Sequence, residues 1–398
     1  MVVDVTLRVL LGWEFGGGFG HVVSLQGIAK RIHESLPCSF LYALRVPENG
    51  RRSGIPWENI VAAPHPKRAP LGKPPKAWDT YGEFISEALM IDEGAFAFRL
   101  AGWDKIINDF KPHLIIADYA PGLSLFARGR WPVLAVGNGY TLPPAELEVF
   151  PPMTRRNRPV YGGEAEIMGW LNGDLKRAGA KPIERLPQLN EATAYGLMTM
   201  PIFDPYQAFR QQDYLGVEIP GGAPTPRLSH GGAIAYFREK NQLNDEVIAG
   251  LGQLDIDTDV YFGMSMRSVK RKFKGSRVTV ADAPFLLGKA MPGKAVAVHR
   301  GTLGFTAAAL MAGVPQVMVY ENDEAWFHAE SIRKAGAGLS ALLGKITART
   351  FSEAVQYVSA SSAMQEQALK LAEAHAHFRI ANPVQAAADL AIELIRST

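Results

Sequence analysis

Short runs of consecutive apolar residues alternate along this chain with longer stretches in which apolar residues recur every three or four positions. The short runs are typical of strands buried on both faces, and the longer spacing is that of helices with one apolar face. This alternation predicts an α/β fold in which helices connect parallel strands. The predicted strands are 5–11, 113–117, 131–136, 197–201, 233–237, 259–263, 295–298 and 316–320, and the predicted helices are 22–36, 85–110, 167–178, 244–251, 305–312, 324–334 and 383–395.

Glycine and proline divide this pattern into two parts. The segment 216–232, GVEIPGGAPTPRLSHGG, interrupts the alternation and has the composition of a linker. A chain of 398 residues is long for one core and suits two domains of roughly 180 to 200 residues each. We therefore predict a first domain at 1–215, a linker at 216–232 and a second domain that begins at 233 and ends near 380.

The composition narrows the class of protein. Hydrophobic residues make up 47% and charged residues 20%, as in ordinary soluble globular proteins. Lys and Arg total 42 and Asp and Glu total 39, so the net charge of +3 is too small to indicate a nucleic-acid partner. Cys38 is the single cysteine, which excludes an intrachain disulfide and a zinc cluster and fits a reducing compartment. These features predict a cytoplasmic protein.

Membrane association is predicted to be peripheral at most. Asp4 and Arg8 interrupt the first apolar run, and no small-residue cleavage site follows, so we interpret this run as a strand and not as a signal peptide. No segment supplies the roughly 18 apolar residues that a membrane span needs. The basic segment 267–277 is interpreted as a solvated helix face, with contact to phosphate or to an anionic membrane surface as the alternative.

A glycine-rich turn follows the predicted strand 295–298. Gly301 and Gly304 allow a ligand to approach the backbone, and a helix follows until Gly313 and Pro315 end it. A turn between a parallel strand and a helix lies at the carboxyl edge of the sheet, where α/β folds bind ligands. The free N–H groups of the helix N-terminus favour an anion such as a diphosphate. The alternative is a turn that is tight only for packing.

A second glycine-rich loop, GGGFG at 16–20, leads from the first strand to His21 in the first turn of a helix. A dinucleotide-binding interpretation is disfavoured because the spacing lacks the full G-x-G-x-x-G. An imidazole with a pKa near 7 can accept a proton from a hydroxyl group, which makes His21 a candidate general base. A histidine at this position can also cap the helix or pack in the core.

Three segments resemble one known family. HRGTLGFTAAALMAGVPQ at 299–316 resembles the donor-site signature H-x-G-G-x-G-T-T-x-E-A-L-x-A-G-V-P-Q of GT-B glycosyltransferases of the macrolide and UDP-glucuronosyl type. GFGHV at 18–22 and KPHLIIADYAPG at 111–122 resemble the family segments G-x-G-H-V and K-P-D-L-V-V-x-D. The resemblance implies two Rossmann-like domains with parallel sheets facing across a cleft, and a last helix in 381–398 that returns to the first domain.

The resemblance also implies a reaction and its residues. The expected enzyme is an inverting, metal-independent glycosyltransferase of the hexosyl type, with a UDP- or dTDP-linked sugar as co-substrate and a small-molecule or lipid-like acceptor. His21 is the implied base and Asp118 its orienting partner, although an aspartate at the end of a strand also commonly caps the next turn. The implied acceptor contacts are Trp13, Gly18 and Tyr140, and the implied donor contacts are Pro284, Phe285, His299, Gly301, Thr302, Gly304, Phe305, Thr306, Glu321, Asp323 and Glu324.

This chain departs from the family signature at three places. Thr302 replaces the second glycine of a pair, Ala308 replaces the glutamate that binds ribose, and Glu324-Ala325 replace the Asp-Gln pair that contacts the sugar. We therefore expect weak dependence on the ribose and an altered sugar preference. A non-catalytic nucleotide-sugar-binding or activator protein and a nucleotide-sugar epimerase or hydrolase remain as alternatives, because a fold does not fix a function.

Overall fold

The computed structural model of the chain describes residues 7–65, 80–89, 96–153, 164–228, 231–237, 244–263 and 267–397. They form two compact units. Unit 1 comprises 1–198, 206–215 and 383–398, and unit 2 comprises 199–205 and 216–382.

Unit 1 contains a six-stranded sheet in the order β3-β2-β1-β4-β5-β6. All neighbouring strands are parallel. The central strands β1 and β4 are almost entirely buried, which explains their unbroken apolar sequences. The strands are β1 Leu7–Trp13, β2 Cys38–Leu44, β3 Ile60–Ala62, β4 Leu114–Asp118, β5 Val133–Gly137 and β6 Ala194–Leu197.

Helices cover the unit 1 sheet. They are α1 Gly20–Ser35, α2 Pro47–Arg52, α3 Tyr81–Leu89, α4 Ala97–Phe110, α5 Pro121–Ala127, α6 Glu164–Arg177 and the C-terminal helix, which we number α14, Pro383–Arg396. The helix α14 shares one hydrophobic core with α1, β1 and β4. A Cβ at Gly27 of α1 would lie 3.1 Å from Cγ1 of Val384, so the absence of a side chain there lets the two helices pack closely.

Unit 2 contains a second parallel six-stranded sheet, in the order β12-β11-β10-β7-β8-β9. Its strands are β7 Ala233–Tyr236, β8 Thr258–Tyr261, β9 Val278–Val280, β10 Val296–His299, β11 Gln316–Tyr320 and β12 Gly338–Leu342. Its helices are α7 Asp245–Gly252, α8 Arg267–Lys272, α9 Leu287–Ala290, α10 Leu303–Ala312, α11 Asp323–Lys334, α12 Ala348–Ala360 and α13 Ser362–Ala374.

The predicted fold class is confirmed, since both units are α/β with parallel sheets. Some predicted boundaries are wrong. The predicted helix 85–110 is two helices, α3 and α4, and 90–95 lie outside the described residues. The predicted strand 197–201 begins earlier, as β6, because Ala194 to Leu197 pair with β5 while Met200 packs in unit 2.

The predicted linker 216–232 is not a free connection. Its described residues belong to unit 2, where Ile219 lies in the hydrophobic core. A Cβ at Gly288 of α9 would lie 2.1 Å from the carbonyl oxygen of Gly222, so this segment lies directly against that helix. The glycines and prolines of this segment allow close packing as well as turns. Composition alone does not distinguish a packed segment from a free linker.

The basic segment 267–277 pairs with carboxylates. Lys270 lies 2.5 Å from Asp282, and Arg277 lies 3.0 Å from Asp257. These contacts favour the solvated surface and leave the anionic-membrane alternative without support. Within the ranges that the structure describes, no helix has the length and apolarity of a membrane span.

Candidate functional site

The candidate base lies in unit 1, at the carboxyl end of the sheet. β1 and β4 are in register with Trp13 opposite Asp118, so the loop after β1 and the last residue of β4 meet at one edge. α1 begins at Gly20, which places His21 in its first turn. Nδ1 of His21 lies 3.0 Å from both carboxylate oxygens of Asp118. The side chains of His21 and Asp118 are 21% and 7% exposed, so solvent reaches the imidazole and hardly the carboxylate.

This geometry distinguishes between the alternatives for the two residues. α1 has Phe19 at its N-cap position, and α5 has Ala120 at its N-cap position, with no side-chain cap bond at either helix. Asp118 therefore pairs with the imidazole, and His21 is neither a helix cap nor fully buried. A carboxylate on Nδ1 fixes the tautomer that leaves Nε2 to accept a proton, and it stabilises the protonated ring.

Gly16 lies beside Nε2 of His21. Its φ of +82° is in the left-handed region, and a Cβ there would lie 2.6 Å from Nε2. Glycine is therefore needed both for the backbone conformation and for access to the imidazole. Gly18, the predicted acceptor contact, is less constrained, since a Cβ there would meet Gly20 N only at 3.8 Å.

The ring of Trp13 packs against one face of the imidazole of His21. Its ring stacks on His21 with centroids 5.2 Å apart and planes at 21°, and it is fully buried. The indole N–H donates to the carbonyl oxygen of Phe15. The prediction that Trp13 contacts the acceptor is corrected, because its ring is covered by the imidazole of His21 and is not exposed to solvent.

Tyr140 lies in the loop after β5. It is 6% exposed and packs edge-on against Tyr81, with ring centroids 6.1 Å apart, while Phe84 and Phe150 complete the aromatic cluster. The hydroxyl of Tyr81 donates to the carbonyl oxygen of Thr141 at 3.1 Å. These contacts hold the loop in place, so the acceptor contact assigned to Tyr140 stays a prediction.

Sequence reasoning missed Glu14, which follows β1 and is 2% exposed. Burial raises the pKa of its carboxyl group, against the lowering effects of the Arg99 charge and of hydrogen bonds from Trp103 and from α5. A charged residue directly after a buried strand was the available signal. This signal is weak, because charged residues at such positions are usually solvated.

The candidate donor site of unit 2 is the turn between β10 and α10. Thr302 is the N-cap residue of α10 with extended backbone, and its side chain makes no cap bond. Thr302 is exposed and Gly304 half-buried, whereas α10 is buried from Phe305 onwards. The N-terminus of α10 is thus the accessible end of an otherwise buried helix, which suits an anion.

Gly301 has a φ of +79°, and a Cβ there would lie 2.8 Å from the carbonyl oxygen of Ala325. The turn is therefore pressed against α11, and only glycine fits. The carbonyl oxygen of Gly301 accepts a hydrogen bond from Nδ1 of the buried His328 at 2.8 Å. At Gly304, by contrast, the nearest atom to an added Cβ would be the carbonyl oxygen of Glu218 at 3.8 Å.

His299 is fully buried. Its Nδ1 accepts from the N–H of Gly301 at 3.0 Å, so its proton is on Nε2, which donates to Oε1 of Gln316 at 2.9 Å. Burial lowers the pKa of His299 to about 3, and the hydrogen bond to Gln316 opposes this only in part. The prediction that His299 donates to the phosphates is corrected: both ring nitrogens are used inside the protein, and the residue shapes the turn.

Two further predicted donor contacts are also part of the core. Thr306 is fully buried, and its hydroxyl donates to the carbonyl oxygen of Thr302 at 2.8 Å. Phe305 is 3% exposed and packs on His299 with ring centroids 4.7 Å apart. The assignment of Thr306 and Phe305 to ligand contact is therefore corrected, because both side chains are enclosed by their own helix and sheet.

The remaining predicted donor residues lie at the surface of unit 2. Pro284 is exposed and Phe285 half-buried, with the Phe285 ring edge-on to Tyr261 at 6.4 Å. Glu321 forms an ion pair with Arg300. Asp323 and Glu324 lie in the first turn of α11, where the helix dipole favours negative charge. Among the described residues, no group of three or more His, Cys, Asp or Glu is placed to hold a metal ion.

Comparisons with known proteins concern the family and the fold of the chain. Residues 245–390 match the family model described as erythromycin biosynthesis protein CIII-like, C-terminal domain. No curated protein matches the sequence. The match to the family model supports the resemblance to GT-B glycosyltransferases in the part of the chain that contains α10.

Solved structures share the whole architecture. The calicheamicin glycosyltransferase CalG4 has a TM-score of 0.68 at 16% identity, over 99% of each chain. The glycosyltransferase VinC in complex with dTDP has a TM-score of 0.65 at 15% identity, over 98% of this chain and 100% of that one. The glycosyltransferase SnogD from Streptomyces nogalater has a TM-score of 0.59 at 17% identity, over 98% of this chain and 99% of that one. These TM-scores establish a shared fold, and the predicted GT-B fold is confirmed.

Proposed function

We propose that this chain is an inverting glycosyltransferase that moves a sugar from a nucleoside-diphosphate sugar to an acceptor hydroxyl. The observation that carries the proposal is the contact of Nδ1 of His21 with both oxygens of Asp118, at 3.0 Å. A hydroxyl group is a poor nucleophile at neutral pH, and an imidazole held in one tautomer by a carboxylate is a suitable base. The family match of residues 245–390 supports the assignment of donor binding to unit 2.

The proposed reaction is a single displacement. The acceptor hydroxyl transfers its proton to Nε2 of His21, its oxygen forms a bond to the anomeric carbon, and the bond from that carbon to the diphosphate oxygen breaks. Attack from the face opposite the leaving group inverts the anomeric configuration. Asp118 stabilises the imidazolium, and the N-terminus of α10 stabilises the negative charge that develops on the departing diphosphate without a metal ion. Unit 1 thus supplies the base and unit 2 the donor site.

The donor is proposed to be a uridine or thymidine diphosphate sugar, with a hexosyl group. The solved structure of VinC contains dTDP, which supports a thymidine donor for this chain only through the shared fold. The acceptor is proposed to be a small molecule with a nucleophilic hydroxyl group. The acceptor contacts predicted from the sequence do not narrow the identity of the acceptor further, because Trp13 and Tyr140 are buried.

Because an altered sugar preference is expected, the test uses a panel of UDP- and dTDP-linked hexoses with a panel of phenolic and aliphatic alcohols, and products are detected by mass spectrometry. We expect a glycoside whose anomeric configuration is opposite to that of the donor, measured by NMR. Release of free sugar without acceptor would support the hydrolase alternative. Nucleotide binding by calorimetry without turnover of any donor in the panel would support the non-catalytic alternative, and retained configuration would contradict the single displacement.

A further inference from the structure

Glu14 is a buried carboxylate that the proposed reaction does not use. Its Oε1 accepts from the indole N–H of Trp103 in α4 at 2.7 Å, and its Oε2 accepts from the backbone N–H of Gly122 in α5 at 2.7 Å. Nη1 of Arg99 lies 4.0 Å from Oε1, and the side chains of this pair are 1% and 0% exposed. A buried charge is tolerated only when it is paired and hydrogen-bonded, as here. One carboxylate therefore connects the end of β1 with two helices.

The contact with α5 fixes the residues that follow Asp118. The N–H of Phe15 donates to the carbonyl oxygen of Tyr119 at 3.2 Å, and Glu14 accepts from Gly122. Between these two points, Tyr119 has a φ of +46°, a left-handed conformation that is unfavourable for a residue other than glycine. Such a conformation persists only where the surrounding structure holds it. The loop after β1 thus holds the chain directly after Asp118 in a strained conformation.

The same loop also touches the other member of the pair. Trp13, next to Glu14, stacks on the ring of His21, and its indole N–H donates to the carbonyl oxygen of Phe15. The three consecutive residues 13–15 therefore contact the imidazole on one side and the segment after Asp118 on the other. Displacement of Glu14 would disturb both sides at once.

We propose that Glu14 is a positioning residue whose buried carboxylate holds the Asp118 segment against the imidazole of His21. The inference rests on the proposed role of His21 as the base. The carboxylate uses Oε1 for Trp103 and Oε2 for Gly122, whereas an amide in the same place turns its NH2 group towards one of these two donors. The N–H left unpaired is expected to move α5, release Tyr119 from its left-handed conformation and separate Asp118 from His21.

The test detects the hydrogen bond between His21 and Asp118 without substrate. In the full-length protein, the imidazole N–H proton bonded to Asp118 is measured by NMR at low temperature and assigned by its loss in His21→Ala. We expect Glu14→Gln to lose this resonance. The matched control is Asp174→Asn, because Asp174 is also fully buried in unit 1 and accepts from the N–H of Ala97 at the start of α4, at 3.0 Å. The control should retain the resonance.

Gly122→Ala provides a second variant that removes no charge. A Cβ at Gly122 would lie 2.5 Å from Oε1 of Glu14, so the methyl group displaces the carboxylate although alanine itself favours the helix. Loss of the resonance is expected here as well, and this variant decides the question if Glu14→Gln does not fold. Retention of the resonance in a folded Glu14→Gln or in Gly122→Ala would overturn the proposal, as would its loss in Asp174→Asn. Unimpaired glycosyl transfer by His21→Ala would instead refute the proposed base and leave the resonance result standing.

Discussion

Each unit has a histidine next to a glycine-rich turn at the carboxyl side of its sheet, and the two are surrounded differently. His21 is partly exposed, and its Nδ1 faces a carboxylate. His299 is fully buried, its Nε2 faces an amide oxygen, and its Nδ1 is used by the N–H of Gly301. The first arrangement favours a ring that gains and loses protons, and the second favours a ring that stays neutral.

This difference shows why a motif histidine does not have one role. The family segments contain both residues, and the resemblance implies a base at His21 and a phosphate contact at His299. In the structure, the imidazole of His21 is partly exposed beside a carboxylate, whereas His299 is buried and holds the backbone of the turn after β10. Substitutions at the two sites should therefore affect different measurements.

The largest effect is expected for His21→Ala. Loss of the general base should lower the rate of transfer to an alcohol by about 100- to 10,000-fold. Binding of UDP or dTDP, measured by calorimetry, should be nearly unchanged, because the proposed diphosphate site is in unit 2. The rate of transfer to an acceptor that is already ionised, such as 4-nitrophenolate, should fall much less in this variant.

The matched control is His33→Ala, since His33 is exposed on the same helix. It should keep normal activity. Near-normal turnover of an alcohol by His21→Ala would contradict the assignment of the base.

Gly16→Ala should have the next largest effect, roughly 100-fold on transfer, comparable with the loss of a positioned base. The added methyl group would lie 2.6 Å from Nε2 of His21, in the space that an acceptor hydroxyl needs. Initial rates with a fixed donor and a phenolic acceptor measure this effect.

Two other glycines of unit 1 separate obstruction from backbone strain. The methyl group added by Gly17→Ala would meet no heavy atom within 4 Å. Gly54 has a φ of +88°, similar to that of Gly16, and the methyl group added by Gly54→Ala would also meet no heavy atom within 4 Å. Gly54→Ala should lower the melting temperature and leave transfer intact. An equal loss of transfer in Gly17→Ala would show that the loop, and not access to Nε2, is responsible.

The buried histidine of unit 2 predicts a smaller effect, on stability against pH. The pKa of His299 is about 3 in the folded protein, whereas the ordinary value of 6.5 applies to the unfolded chain. Between pH 3 and pH 6.5 the unfolded chain therefore binds more protons than the folded protein. Stability is therefore fully present above about pH 6.5 and falls as the pH falls, by about 1.5 kcal/mol between pH 6.5 and pH 5. Urea unfolding of the full-length protein at a series of pH values between 6.5 and 5 measures how the free energy of unfolding of unit 2 changes with pH.

His299→Gln removes this titrating group and should flatten the slope. Burial also lowers the pKa of His328, so a residual slope of the same sign is expected. An unchanged slope in His299→Gln would show that other groups cause the acid sensitivity.

Much of the fold follows from the sequence because parallel strands buried on both faces have unbroken apolar sequences. β1, β4, β10 and β11 are recognisable in this way. The strand β2, which lies next to the edge and has an exposed Ser39, and the short edge strand β3 are not recognisable in this way. Towards the edge of the sheet the apolar signal is weaker, and tertiary pairing decides.

The family resemblance implies the pairing of His21 with Asp118, and the contact is found because Asp118 ends one recognisable strand and His21 follows another at the same edge of the sheet. The burial of Trp13, Thr306 and His299 was not, since it depends on contacts between segments far apart in sequence. Glu14 shows the same limit, because its partners Trp103 and Gly122 come from two different helices. Spacing locates a site, whereas packing decides which of its residues reach a ligand.

The smallest effect is expected at the ribose of the donor. Ala308 occupies the position of the family's ribose-binding glutamate, and it is fully buried within α10, so it offers no polar group to a ribose hydroxyl. A hydrogen bond to a carboxylate contributes about 1.5 to 3 kcal/mol, and its absence should make removal of one ribose hydroxyl almost neutral. Calorimetry with UDP and 2′-deoxy-UDP measures this directly, and we expect equal affinities within about twofold. A penalty of about tenfold or more for the deoxy nucleotide corresponds to about 1.4 kcal/mol and would show that another residue of unit 2 binds the ribose.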